Sequence, residues 1–183
     1  MVINCWTKIA EEILLIFIER RKYAKKLNEL IIDKLSNFRS TKIAYKNGIY
    51  DESLEKEETI NQIIKILYSN RHLDELTKRT SFSISSDEIY FFDIKNNLNT
   101  DSCSTGEQKS SLVTIILANC WMMKIKNNQF IILLDEATSH IDEKNFEHLV
   151  VELEKFETQI WYTGTGKKLF QVIENKGFFI ELS

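Results

Sequence analysis

Residues 131–136 read Ile131-Ile132-Leu133-Leu134-Asp135-Glu136, and this stretch decides the fold. With Phe130 before it, the run is short, wholly apolar and bounded by polar residues. That pattern predicts a central strand covered on both faces. Two carboxylates follow at its C-terminal end, where α/β sheets place their ligands. A strand that simply ends in acidic, solvent-exposed turn residues is the plainer reading. On the pair alone the two readings weigh about equally.

Working outward, residues 107–124 predict a helix carrying Leu112, Ile115, Ile116 and Ala118. Residues 143–155 predict a helix, 159–162 a strand, 167–175 a helix and 178–181 a last strand. Helix and strand thus alternate from residue 104 onward, which predicts an α/β layer with a largely parallel sheet. Upstream the texture differs. Trp6, Ile9, Ile13, Ile16, Tyr23, Leu27, Leu30 and Ile31 recur at helical steps, so residues 6–38 read as one long amphipathic helix. Residues 36–53 break the pattern, with a short strand at 42–45 and a turn at Asn47-Gly48. Residues 53–78 return to helix, with Ser53 as the cap and Leu54, Ile63, Leu67, Leu73 and Leu76 inward. Residues 81–84 and 88–94 alternate like two strands of a hairpin, and residues 96–104 read as a polar loop. The expected organisation is a helical arm over 1–80 and a sheet-bearing body over 81–183.

Composition narrows the classes. Of 183 residues, 43% are hydrophobic and 28% charged, which describes a packed domain rather than a disordered one. The apolar run at residues 13–18 is far short of the roughly 20 residues a membrane span needs. Glu11-Glu12 precede it, which argues against a secretion signal. Three cysteines, Cys5, Cys103 and Cys120, are an odd number without metal-like spacing. They predict a reducing cytoplasm, no disulfide framework and no zinc site. The net charge is −3, with residues 1–80 mildly basic and 81–183 acidic, a weak hint of nucleic acid. Arg20-Arg21-Lys22 stands among Glu11, Glu12, Glu19 and Glu29, so a solvated helix face outweighs a phosphate contact. Trp6, Trp121 and Trp161 read as packing residues before base-stacking platforms. There are five glycines and no proline. A phosphate loop of the form G-x-x-x-x-G-K-[ST] needs two glycines five apart before Lys and Ser/Thr. Only Gly166-Lys167 resembles its end; Trp161 stands at the first glycine position and Lys168 at the hydroxyl position. These 183 residues contain no Walker A loop.

A second motif is Ser104-Thr105-Gly106-Glu107-Gln108-Lys109. Gly106 admits close backbone approach, and a helix starting near Glu107 aims free N–H groups at an anion. Hydroxyls on Ser104 and Thr105 add donors. A Ser followed three residues later by Glu is equally a capping box, and alone that reading wins. The two motifs together carry more. Ser104–Lys109, some thirty residues, the aliphatic run, Asp135-Glu136, and then Ala137-Thr138-Ser139-His140-Ile141-Asp142 resemble the signature, Walker B and D-loop of ABC-type ATPases. With Trp161-Tyr162-Thr163-Gly164-Thr165 they look most like the C-terminal half of the RecF family of bacterial DNA replication and repair proteins. The likeness is good over residues 102–183 and looser over the first 80, which match that family's helical arm in position and size. SMC-like relatives would show longer coiled coil.

The resemblance implies a fold and a set of roles. The fold is a helical arm followed by the C-terminal part of a P-loop ATPase lobe of the ABC type, its Walker A half absent from this sequence. Asp135 would bind Mg²⁺, and Glu136 would be the catalytic base or water-positioning carboxylate. Ser104, Thr105, Gly106 and Gln108 would contact ATP held by the opposite protomer of a dimer, with Asp142 as the D-loop acid at that interface. Thr163 and Thr165 fall at the position of a switch residue, without the His that related ATPases carry there. His140 reads equally as a surface turn residue. The family implies ATP and Mg²⁺ as cofactors once a Walker A lobe is supplied. It also implies DNA at single-strand/duplex gaps, RecO- and RecR-type mediators and no membrane. One departure stands out: where the family has a Gly-Pro-His-Arg-like stretch, this chain has Ser83-Ile84-Ser85-Ser86 before Asp87. Without a phosphate loop the chain is expected to bind ATP weakly or not at all alone. It is also expected to leave the 130–134 strand short of neighbours. Other readings stay open: a non-enzymatic interaction module, a degenerate remnant, or one half of a split ATPase.

Overall fold

The computed structural model describes residues 2–46, 48–50, 53–82, 88–136, 142–165 and 170–180. They form two compact units, one from Met1–Glu29 and Thr41–Asp101, the other from Leu30–Ser40 and Ser102–Ser183. This division differs from the expected boundary at residue 80: residues 81–101 group with the first unit and 30–40 with the second.

The first unit is built on two helices and an antiparallel sheet. Helix α1 (Val2–Lys34) and helix α2 (Lys56–Thr77) share a core of Ala10, Ile13, Leu14, Phe17, Ile63 and Leu67. The three- and four-residue steps among these positions put them on one face of each helix. The buried stripe of α1 is rotated from the expected one: Ile13, Leu27, Leu30 and Ile31 are buried, but Ile9, Ile16 and Tyr23 are exposed. The basic stretch of α1 is a solvated face, with Lys22 paired to Glu19 and Lys26 to Glu29 at i,i+3 spacing. Such pairs contribute only tenths of a kcal/mol, about 0.2–0.5 each. Helix α2 starts later than expected, with Glu55 rather than Ser53 at the N-cap, and ends at Lys78 in the left-handed region. Leu73 and Leu76 are exposed, Leu76 at 82%, so the inward face of α2 stops after Leu67.

Strand β1 (Thr41–Lys46) pairs antiparallel with β2 (Glu88–Asp93), in the register Thr41↔Asp93 to Lys46↔Glu88. Strand β3 (Leu98–Asn99) takes the other edge of β2. Among the described residues β2 is partnered by β1 and β3; of the strand expected at 81–84, residues 83 and 84 lie outside the described residues. Asn28 ties α1 to the sheet by a reciprocal pair. Its Nδ2 donates to the Ile43 carbonyl and its Oδ1 accepts from the Ile43 N–H, each at 2.8 Å.

In the second unit, helix α3 (Thr105–Ile125) is followed by strand β4 (Ile132–Leu134), helix α4 (Glu143–Glu154) and strand β5 (Ile160–Tyr162). Strands β4 and β5 pair in parallel, Ile132↔Ile160 to Leu134↔Tyr162. The α/β class and the parallel pairing agree with expectation, and the sheet is small. β4 is not a doubly covered central strand: Ile131 and Leu133 are 59% and 74% exposed, and β5 is its one neighbour among the described residues. Burial of a strand depends on what flanks it, and here one flank is supplied. Helix α4 buries Phe146, Leu149, Val150 and Leu153, and Phe146 meets Tyr162 and Phe170 edge-on. Trp121 of α3 packs against Phe156 and donates from Nε1 to the buried Glu152 at 2.8 Å, a packing role. Residues 167–169 of the expected last helix are outside the described residues, and Gln171–Ile173 is a single 3₁₀ turn. Residues 178–180 are irregular and exposed rather than a strand; one reason is that no ladder partner reaches them among the described residues. None of the three cysteines is in a disulfide among the described residues. Among the described residues no helix is long and apolar enough to cross a membrane.

Candidate nucleotide-facing site

The parallel register dictates the centre of the site. Since Leu134 faces Tyr162, the residues that follow, Asp135 and Thr163, come side by side at the C-terminal end of the pair. The Thr163 N–H donates to the Leu134 carbonyl at 2.9 Å, extending the ladder by one step. Its hydroxyl donates to Asp135 Oδ1 at 2.5 Å and accepts from the Glu136 N–H at 2.8 Å. One side chain thus fixes the Asp135 carboxylate and the Glu136 backbone. Glu136 sits at φ 48°, in the left-handed region. For a residue with a Cβ that costs about 1–2 kcal/mol. The Glu136 N–H donates to the Thr163 hydroxyl in that conformation, and Glu136 leaves the strand direction there.

The signature residues occupy the first turn of α3. Ser104 is its N-cap, and Glu107 closes a capping box with it. Glu107 Oε2 accepts from the Ser104 N–H at 2.9 Å and from the Ser104 hydroxyl at 2.8 Å; Oε1 accepts from Arg39 Nη2 at 2.9 Å. The bond from the Ser104 N–H, then its hydroxyl, then Arg39 hold the Glu107 carboxyl down at about 2. Gln108 Nε2 donates to the Cys103 carbonyl at 3.2 Å. Thr105 opens α3, and a Cβ at Gly106 would meet nothing within 4 Å, so open space lies over that position. Asp142 is the N-cap of α4: its carboxylate accepts from the Asn145 N–H at 2.8 Å and from Asn145 Nδ2 at 2.7 Å. Residues 137–141, including His140, lie outside the described residues.

Asp135 and Glu136 are therefore brought together with Thr163, while the signature turn and Asp142 are each organised at the start of their own helix. Arg39, and the part Thr163 plays, are what the sequence did not single out. The signal for Thr163 was the register: one residue past each strand of a parallel pair. Arg39 has no such signal, standing 68 residues from Glu107.

The donor set suits a magnesium ion that arrives on a nucleotide. Mg²⁺ takes one or two carboxylates and keeps phosphate and water for the rest. Asp135 offers one exposed carboxylate, held in place. Among the described residues no group of three or more His, Cys, Asp or Glu side chains forms an all-protein cage. The parallel pair, the acid pair at its end and the capped helix start make an α/β unit whose polar groups gather at strand and helix ends.

Comparison with known proteins shows what the chain is similar to. No family model matches the chain. It is 31% identical over 185 residues to the DNA replication and repair protein RecF of Rickettsia rickettsii, covering 97% of this chain and 51% of that protein. It is 32% identical over 186 residues to RecF of Rickettsia typhi, covering 98% and 52%. Two solved structures share the fold. A recombination mediator protein RecF-ATP in the RecFOR pathway matches at TM-score 0.69 and 17% identity, over 90% of this chain and 46% of that one. The RecF-ATPrS structure of the same pathway matches at 0.62 and 18%, over 87% and 44%. The chain is homologous to RecF proteins over nearly all its length and spans about half the length of those it matches, consistent with a C-terminal RecF portion.

Proposed function

We propose that this chain supplies the signature, Walker B and D-loop elements of a RecF-like DNA replication and repair ATPase. The first unit contributes the helical arm and the second the C-terminal part of the ATPase lobe. The observation that carries the reading is Thr163 holding Asp135 and Glu136 together at the end of a parallel strand pair. Asp135 holds Mg²⁺ carried by ATP. Glu136, turned out of the strand, positions or deprotonates the attacking water. Ser104, Thr105, Gly106 and Gln108 face the γ-phosphate of ATP bound by an opposing protomer, and Asp142 lies at that interface. The completed protein acts on DNA gaps with RecO- and RecR-type mediators.

Most of the energy for binding β- and γ-phosphates comes from a phosphate loop that these 183 residues do not carry. The chain by itself binds ATP weakly or not at all, and calorimetry with Mg²⁺-ATP tests this. Saturable hydrolysis by the purified 183-residue chain contradicts it. The exposed flank of β4 favours completion by more polypeptide, either in the same chain or as a separate half. A non-enzymatic interaction module is the second reading. It is favoured by the capping roles that Ser104 and Asp142 already perform. Glu136→Gln separates the two, because only an ATPase loses turnover.

A further inference from the structure

Resting on the reading of Ser104 as the signature serine, we propose that Arg39 is a positioning residue that sets Ser104 through Glu107. Arg39 lies in the segment Leu30–Ser40, which packs with the second unit although both flanking stretches belong to the first. Its side chain is only 19% exposed, and its Nη2 donates to Glu107 Oε1 at 2.9 Å. Its own carbonyl lies 3.2 Å from the hydroxyl of the fully buried Thr114, whose one proton is shared with the Ser110 carbonyl at 3.0 Å. Glu107 and Thr114 are seven residues apart, two turns along the same face of α3. The ion pair with Glu107 is what holds Arg39 to α3, in its first turn, and the contact with Thr114 lies two turns further on.

The consequence falls on Ser104. A hydroxyl has one proton, and that of Ser104 goes to Glu107 Oε2. The same carboxylate oxygen takes the Ser104 N–H. Whether Ser104 offers donors to a phosphate thus depends on where the Glu107 carboxylate points. Arg39 binds the other oxygen of that carboxylate and fixes its plane, in a charge-assisted bond stronger than a neutral one. The segment leaving α1 is in this way linked to the turn that faces the nucleotide.

The test is amide hydrogen exchange by NMR on the full 183-residue chain, with Arg39→Gln, Arg39→Lys, Glu107→Gln and the Arg39→Gln/Glu107→Gln double variant. Exchange at the Ser104 N–H is expected to rise about threefold or more in Arg39→Gln. It rises further in Glu107→Gln, and the double variant matches Glu107→Gln alone. Arg39→Lys keeps part of the protection, and amides in the middle of α3 are unchanged. Unaltered Ser104 exchange in Arg39→Gln overturns the proposal. So do effects that multiply in the double variant, which would place Arg39 and Glu107 on separate routes. General loosening of α3 by both Arg39 variants overturns it too, since that marks a merely structural role. Adding Mg²⁺-ATP to a dimer completed by a phosphate-loop half tests the underlying reading by itself. No shift at Ser104 there removes its nucleotide role, while the exchange data still decide the link to Arg39.

Discussion

The two units differ in where they place their polar bonds. In the first, part-buried ones join its elements: Asn28 meets both backbone groups of Ile43, and β1 and β2 are joined along six residue pairs. In the second, the sheet has only three pairs, and much of the hydrogen bonding gathers on exposed turns at Ser104, Asp142 and Thr163. Apolar side chains stand in solvent beside it, Leu133 and Trp161 among them. The first unit uses its polar groups to close a core. The second uses them to hold chemical groups still at strand and helix ends, and leaves a sheet flank uncovered.

Core truncations give the largest expected effects. Phe17→Ala and Phe146→Ala each remove a fully buried ring and should lower stability by about 3–5 kcal/mol, read from urea melts. A loss under about 1 kcal/mol for Phe146 would mean that the second unit has no consolidated core of its own. Next comes Asn28→Ala, which strands a part-buried N–H and carbonyl at Ile43 and should cost about 1–3 kcal/mol. An unchanged melt would erase the distinction drawn for the first unit.

Turn residues of the second unit should matter less for stability than for activity. Asp142→Ala removes a cap bond and should cost about 1 kcal/mol, with Asp142→Asn close to neutral. Thr163→Val deletes both exposed bonds to the acid pair and should cost about 1 kcal/mol or less in the melt. In a completed ATPase it should lower turnover, and Thr163→Ser should restore it. Equal loss in both variants would show that the hydroxyl is irrelevant.

The smallest effect is in acid. The Glu107 carboxyl lies below its ordinary value, held at about 2 by Ser104 and Arg39. A depressed carboxyl stabilises the fold above its unfolded value near 4.5, and that contribution fades as pH falls from there toward 2. Glu107→Gln should flatten the dependence of the melt on pH across this window. An identical pH profile in the variant would detach Glu107 from the capping box.

What was legible in the sequence follows from locality. The alternation of helix and strand after residue 104 was readable because apolar runs and caps are local signals. The class of fold, the capped helix start at Ser104 and the helix from residue 143 came from them. Three things were not local. The longest pairing of β2 is with β1, a strand more than forty residues away, which no local alternation announces. The exposure of Leu133 depends on what flanks β4, which the apolar run itself does not state and only the absent Walker A half led one to expect. The contact between Thr163 and Asp135 depends on the register of two parallel strands, which fixes neighbours only after the pairing is known.

The central claim is that Asp135, Glu136 and Ser104 belong to an ATP-hydrolysing apparatus completed by more polypeptide than these 183 residues. The direct measurement is single-turnover ATP hydrolysis by the native assembly purified from its source cells, with and without Glu136→Gln. The account predicts that the variant loses about 100-fold or more in rate, within the range for a general base, while keeping ATP binding and prolonging the ATP-bound dimer. An assembly that turns over ATP at the same rate with Gln at 136, or that never binds ATP, would contradict it.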